Sequence, residues 1–237
     1  MKDIEIGAFS GMKRLEKVHI PDKVKTIPRY SFSACDSLKE VKFPKNLREI
    51  DTNAFAVSFQ IKSLSISKGA KKYTVDNDML SASKLQNVVL QPGNEKYEMQ
   101  DNCLYTKEEK MLVGVLITGL KIQISDKVKI MGEYVSVMGS MELEDDNDTG
   151  IEAKEGFSVH IPASVEKVID HWMFFGSKAE VYFYGKKPPV TQSKVKGSAY
   201  TALPTWNKVY VPKGTENTYI KWAKDRDGLT WNDLQEF

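Results

Sequence analysis

Three histidines, two cysteines and one run of carboxylates are the residues of this chain whose types could do chemistry. Nucleophilic catalysis needs a serine or cysteine within hydrogen-bond reach of an oriented base, and only His19, His160 and His171 could supply an imidazole. No Gly-x-Ser-x-Gly elbow accompanies them, and His19 and His160 both sit in a Val-His-Ile-Pro stretch, so their recurrence belongs to a repeat rather than to a site. There is no Walker-type loop and no Gly-x-Gly-x-x-Gly, which leaves nucleotide chemistry without support. Asp145 and Asp146 lie in the acidic run from Glu142 to Asp148, which reads as a mobile loop unable to hold a glycosidase pair rigidly. The segment Asp145-x-Asn147-x-Thr149-Gly150 matches the first half of a calcium loop, but Gly156 falls where a bidentate Glu is required. Cys35 and Cys103 are too few for a disulfide framework, show no CxxC spacing, and read as buried thiols. No cofactor, no metal and no catalytic residue is therefore expected, and the chain does not read as an enzyme.

Aromatic rings are the remaining signal, because protein and glycan ligands both use exposed rings with polar tips. Tyr182 and Tyr184 flank Phe183 and should face outward if Phe183 is buried. Trp172, Trp206, Trp222 and Trp231 gather in the last third, where core or cap packing is the plainer role.

The whole chain sets bounds on any partner. Its 34 basic and 32 acidic residues nearly cancel to +2, so no global field favours nucleic acid. With 41% hydrophobic residues among 237, it can bury a sizeable core, and no run of about 18 apolar residues reads as a membrane span. Charges at Lys2, Asp3, Glu5, Lys13, Arg14, Glu16 and Lys17 break up the start, so no export signal is present in the sequence and one is expected upstream.

What must position any site is a repeat. Phe9, Phe32 and Phe55 are spaced by 23 residues, and so are Leu15, Leu38 and Ile61; Val18, Val41 and Leu64; Ile20, Phe43 and Ile66; and Ile4, Ile27 and Ile50. Pro21 and Pro44 follow the second apolar pair, with Ser67 in third place. Each row carries an apolar-polar-apolar triplet such as Val18-His19-Ile20, which suits a short strand with one face buried. Pro28 and the Gly, Ser, Asp and Asn clusters leave room for only a short helical or 3₁₀ turn near the phenylalanine. Successive strands must then run parallel, one coil apart, and a single row buries too little to fold alone. The fold expected is a repeat solenoid, a superhelix of parallel short strands.

The pattern continues through Leu85-x-x-Val88-x-Leu90, Ile122-x-Ile124, Val159-His160-Ile161-Pro162, Val181-Tyr182-Phe183 and Val209-Tyr210-Val211-Pro212, giving eight strands. Two insertions interrupt the solenoid of residues 1–213. Residues 94–119 hold Cys103 to Thr106 and Met111 to Val113 around Lys107-Glu-Glu-Lys110, a β-hairpin signature. Residues 132–157 hold the acidic run. Residues 214–237 drop the repeat and, with Tyr219, Ile220 and Ala223 at helical spacing, should form a helical cap over the open end.

The 23-residue step, the row from Ile27 to Pro44 and the terminal Val209-Tyr-Val-Pro-Lys-Gly214 resemble the BspA-like, or Treponema pallidum type, leucine-rich repeats. The resemblance implies a right-handed leucine-rich-repeat superhelix and a place among bacterial cell-surface or secreted proteins, several of them implicated in adhesion. The asparagine ladder of other leucine-rich repeats is missing, with Lys23, Asn46 and Gly69 at its positions. The implied partner is a host matrix protein, another cell-surface protein or a glycan, engaged by a monomer; the alternative is a structural spacer. Because Ile4 already occupies the Ile27 column, a preceding coil is expected. A partner would sit on the outward residues of the strands: Lys17, His19, Glu40, Lys42, Ser63, Ser65 and Asn87, continued by His160, Tyr182 and Tyr184.

Overall fold

A computed structural model describes residues 3–51, 53–58, 60–70, 72–73, 86–138, 143–146, 150–153, 156–169, 179–192, 208–227 and 234–237. The chain is a solenoid, and each of the eight expected strands is present: β1 (Lys17–His19), β3 (Glu40–Lys42), β5 (Ser63–Ile66), β7 (Asn87–Leu90), β11 (Lys121–Gln123), β15 (Phe157–Ile161), β17 (Ala179–Phe183) and β19 (Lys208–Val211). The register matches the repeat, with Val18 opposite Val41, Leu64 opposite Val88, and Ile122, Val159, Val181 and Val209 in one line. All of these face inward, and seven of the eight are buried, Val18 at the first coil being half-buried. Leu85, expected to open the fourth row, lies outside the described residues.

The same turn recurs after β1, β3 and β15. The amide of Val24 donates to Pro21 O at 2.9 Å, that of Leu47 to Pro44 O at 3.2 Å, and that of Val165 to Pro162 O at 3.1 Å. Proline suits the position because only its carbonyl is used. The turn then drops Val24, Leu47 and Val165 into the core.

A second strand per coil was not legible in the repeat. β2 (Thr26–Ile27), β4 (Glu49–Ile50) and β6 (Lys72–Tyr73) pair in parallel, and further along β10 (Met111–Leu116), β12 (Ile130–Met138), β16 (Lys167–Ile169) and β18 (Val190–Gln192) do the same. The third side holds the phenylalanine spine. Phe9 stacks on Phe32 at 5.0 Å between ring centroids and Phe32 on Phe55 at 5.3 Å, with the planes within 10°. Its backbone is a pair of successive turns, closed for example by Ser31 N–H to Pro28 O and Ser33 N–H to Tyr30 O, both 3.2 Å. Left-handed residues at Tyr30 and Ala34 stop these turns from propagating as a helix.

The hairpin expected in residues 94–119 forms, but it is not an appendage. β8 (Tyr97–Gln100), β9 (Cys103–Thr106) and β10 make an antiparallel meander, and β10 continues into the parallel second sheet through β12. All four residues of β9 are buried. Leu104 and Leu116 pack into a core with Ile20, Phe32 and Leu64, whereas Cys103, Tyr105, Leu112 and Val115 pack into another with Val159, Val181 and Val209. The meander is a wall between two cores, and Tyr105 within it is fully buried, which pushes its phenol up to about 12. Asn94 ties the wall to the coil before it, donating to Ser67 O at 2.7 Å and accepting from the Tyr97 amide at 2.7 Å.

Within the acidic stretch expected as a loop, β13 (Leu143–Asp146) pairs antiparallel with β14 (Gly150–Ala153), setting Asp145 opposite Ile151. Asn147 and Thr149 lie outside the described residues. At the C-terminal end, α1 (Glu216–Asp227) buries Tyr219, Trp222 and Ala223 against Phe183 and its neighbours. The helix does not end the ladder: β20 (Leu234–Glu236) adds a ninth parallel strand beside β19. Trp172, Trp206, Trp231 and His171 lie outside the described residues.

Candidate functional site

Alternation along a strand sends every second side chain away from the core, and parallel in-register pairing lines those side chains up from coil to coil. The result is a set of rows on the outward face of the main ladder. In the N-terminal coils Lys17 stands opposite Glu40, His19 opposite Lys42, Ser63 opposite Asn87, and Ser65 opposite Val89. Lys17, His19, Glu40, Lys42, Ser63 and Asn87 are exposed and Ser65 is half-buried. These rows are mostly polar, with Val89 the exposed apolar member. Lys17 Nζ lies 2.8 Å from Glu40, which raises the lysine pKa through that hydrogen bond and the charge beside it. Gln91 Nε2 donates to Ser65 Oγ at 2.9 Å.

From β15 onward the same rows change character. His160, Tyr182 and Tyr210 are register partners, and their rings form a continuous stack: 4.5 Å and 6° from His160 to Tyr182, then 4.2 Å and 5° to Tyr210. His160 was expected to extend the exposed face. It is buried at 8% exposure, because Tyr182 covers one side of its ring and Tyr184 its edge, with Nδ1 2.9 Å from the Tyr184 hydroxyl and Nε2 3.1 Å from Ser158 Oγ. Burial and the nearby Lys121 charge both lower its pKa, so it serves as a neutral support at neutral pH. Tyr182 is half-buried, donates to Glu180 at 3.3 Å, and has its pKa pushed up to about 12 by burial and by Tyr210.

Tyr184 and Phe237 are the exposed members, at 42% and 50%. Phe237 is carried there by β20. Its amide donates to Val211 O at 3.1 Å, and its carbonyl accepts from the Lys213 amide at 3.2 Å. The Phe237 ring stands edge-on to Tyr184 (5.2 Å, 74°) and to Tyr182 (5.9 Å, 70°). Glu180 lies 3.6 Å from Lys208 on the row next to that of Tyr182, a row that also carries Lys121 through Ser158.

Sequence reasoning placed Tyr182 and Tyr184 on this face and missed Tyr210, Phe237, Glu180 and Lys208. Tyr210 was legible, since Val209-Tyr210-Val211 repeats the alternation of Val181-Tyr182-Phe183. Phe237 was not, because β20 carries only three residues and no repeat signature. The cysteines behave as expected of buried thiols. Both are free, and burial raises Cys103 to about 11, so neither is a poised nucleophile.

A family model described as the BspA type leucine rich repeat region matches residues 2–112 in six copies. A comparison with curated proteins found no match. Among solved structures, the chain is 30% identical to a leucine-rich repeat protein from Bacteroides capillosus over 38% of this chain and 64% of that one, with a TM-score of 0.35. A leucine-rich repeat protein from Bacteroides ovatus aligns with all of this chain and 58% of its own length at 17% identity and a TM-score of 0.48. The pneumococcal vaccine antigen PcpA aligns with 94% of this chain and 68% of its own at 17% identity and a TM-score of 0.47. The chain thus spans less than two thirds of the Bacteroides proteins it matches.

Proposed function

Taking as premise that residues 2–112 are a BspA-type leucine-rich-repeat region, we propose that the chain is a non-enzymatic binding module of a bacterial surface or secreted protein, adhering to a protein or glycan through the outward rows of its main ladder. The observation that carries this reading is the row geometry. Side chains of different chemistry are held at strand spacing on a rigid, core-supported sheet, which lowers the ordering cost of engaging an extended partner. The surface placement rests on the family.

The test is surface plasmon resonance against a panel of purified extracellular-matrix proteins. At least one should bind saturably. Lys42→Glu should weaken that binding while the melting temperature stays within a few degrees, because Lys42 is exposed and empties no core. Absence of binding across the panel, or binding indifferent to Lys42→Glu, counts against the N-terminal rows as the site.

A spacer role is favoured by one observation. Charges between neighbouring coils satisfy one another, Lys17 with Glu40 at 2.8 Å and Lys39 with Glu16 at 3.9 Å, as a stack needing no ligand would arrange them. A spacer would bind nothing in the panel.

A further inference from the structure

The rings at the C-terminal end of the ladder form two groups with different availability. In the His160–Tyr182–Tyr210 stack, ring faces are consumed by neighbouring rings at 4.2–4.5 Å, so this group is a floor. Tyr184 and Phe237 sit on that floor edge-on to one another at 74°, which leaves ring surface facing solvent at 42% and 50% exposure. Their positions are fixed. The Tyr184 hydroxyl is anchored on His160 Nδ1 at 2.9 Å, and Phe237 is held through backbone bonds to Val211 and Lys213. Beside Phe237 lies the Tyr182 ring, 5.9 Å between centroids, whose hydroxyl donates to Glu180; Glu180 in turn lies 3.6 Å from Lys208, one row further along the strands.

We propose that this ledge of Tyr184 and Phe237, bordered by Tyr182 with Glu180 and Lys208 beyond it, is a subsite for an uncharged carbohydrate. The inference rests on the reading of the outward face as a binding surface and names the ligand class of its C-terminal end. A pyranose has an apolar C–H face that packs on an aromatic ring and a rim of hydroxyls that pairs with phenol, carboxylate and ammonium. Glu180 and Lys208 pair with one another, and both remain able to pair with hydroxyls. A peptide cannot add as a strand beside β17, which is paired on both sides, to β15 and to β19. The N-terminal rows lack this chemistry: Lys17, His19, Glu40, Lys42 and Ser63 offer no phenol or phenyl ring.

The experiment is isothermal titration of the full chain with cellohexaose, chitohexaose and mannohexaose, with a heparin hexasaccharide as the charged comparison. At least one neutral hexasaccharide should bind saturably below about 10 mM, an affinity above about 3 kcal/mol. Tyr184→Ala should weaken it at least about tenfold, Tyr184→Phe should stay within about threefold because the ring is kept, and Lys45→Glu, at an exposed residue outside the outward rows, should leave it unchanged. Thermal melts of each variant confirm that the fold is retained. The proposal is overturned if no neutral sugar binds, if only the heparin fragment binds, or if Tyr184→Ala binds as well as the parent. Matrix-protein binding sensitive to Lys42→Glu in the absence of any sugar binding would sink the carbohydrate subsite alone; failure of both sinks the binding-module reading with it.

Discussion

At the residue scale, two backbone columns carry strain that the side-chain pattern does not announce. Gly7, Tyr30 and Asn53 are spaced by 23 residues and all have positive φ, at 69°, 58° and 55°; Gly11, Ala34 and Val57 form a second such column at 73°, 52° and 62°. Only the first coil uses glycine at both positions. Asparagine tolerates the left-handed region, whereas a β-branched residue is its least suitable occupant. Val57 gains little in return, since its side chain is 51% exposed. Replacing it removes about 1–2 kcal/mol of left-handed strain and costs about 0.4–1 kcal/mol in unfolded-chain entropy, so Val57→Gly should stabilise the protein by about 0.5–1 kcal/mol. Urea unfolding checks this, and a loss of stability would mean the turn is wrongly described. These columns could not be read from sequence because glycine, tyrosine and asparagine share a backbone conformation here and no side-chain property. The inward columns were readable for the opposite reason: Val18, Val41 and Leu64 share hydrophobicity, which burial selects directly.

At the element scale, legibility tracked length and alternation. The main ladder was readable because three or four residues alternate in and out, and the hairpin because charges at Lys107-Glu-Glu-Lys110 separate two apolar runs. Two-residue strands such as Thr26–Ile27 have no period to detect. The place of the hairpin was hidden too, since which core a strand face meets is settled by coils far away in sequence. Its junction with the solenoid has a tight point. A Cβ on Gly132 would lie 2.4 Å from Leu112 O, where β10 and β12 run side by side. Backbone cannot yield as a flexible side chain does, so Gly132→Ala should cost about 1–3 kcal/mol and loosen the pairing of Met111 with Ile130. Faster amide exchange at Leu112 and Met131 is the expected readout; an unchanged exchange rate there would show that the two strands can part without loss.

At the scale of the whole molecule, the two cores make a statement about cooperativity. A uniform solenoid shares stability between nearest neighbours, so damage in one coil spreads along the array with a decay set by the interfaces. Here the array is divided by the meander, whose β9 presents Leu104 to one core and Cys103 and Tyr105 to the other. The main ladder follows the same division, with β5 paired to β7 in one sheet and β11 opening another at β15. Damage on one side must pass through the wall to reach the other. Phe32 is the test residue, being fully buried with rings stacked on both sides at 5.0 and 5.3 Å. Phe32→Ala should cost about 3–5 kcal/mol in the coils it supports, the range for deleting a buried aromatic. Native-state hydrogen exchange should then show lost protection at Phe32, Val41, Ile50 and Leu64, while Val159, Val181 and Val209 keep the protection of the parent protein. If the wall instead transmits the defect, all seven amides will lose the same free energy and the denaturation curve will keep a single transition. That outcome would make the meander a coupling element. The split outcome would make each half a folding unit in its own right, with the polar rows on one and the aromatic ledge on the other.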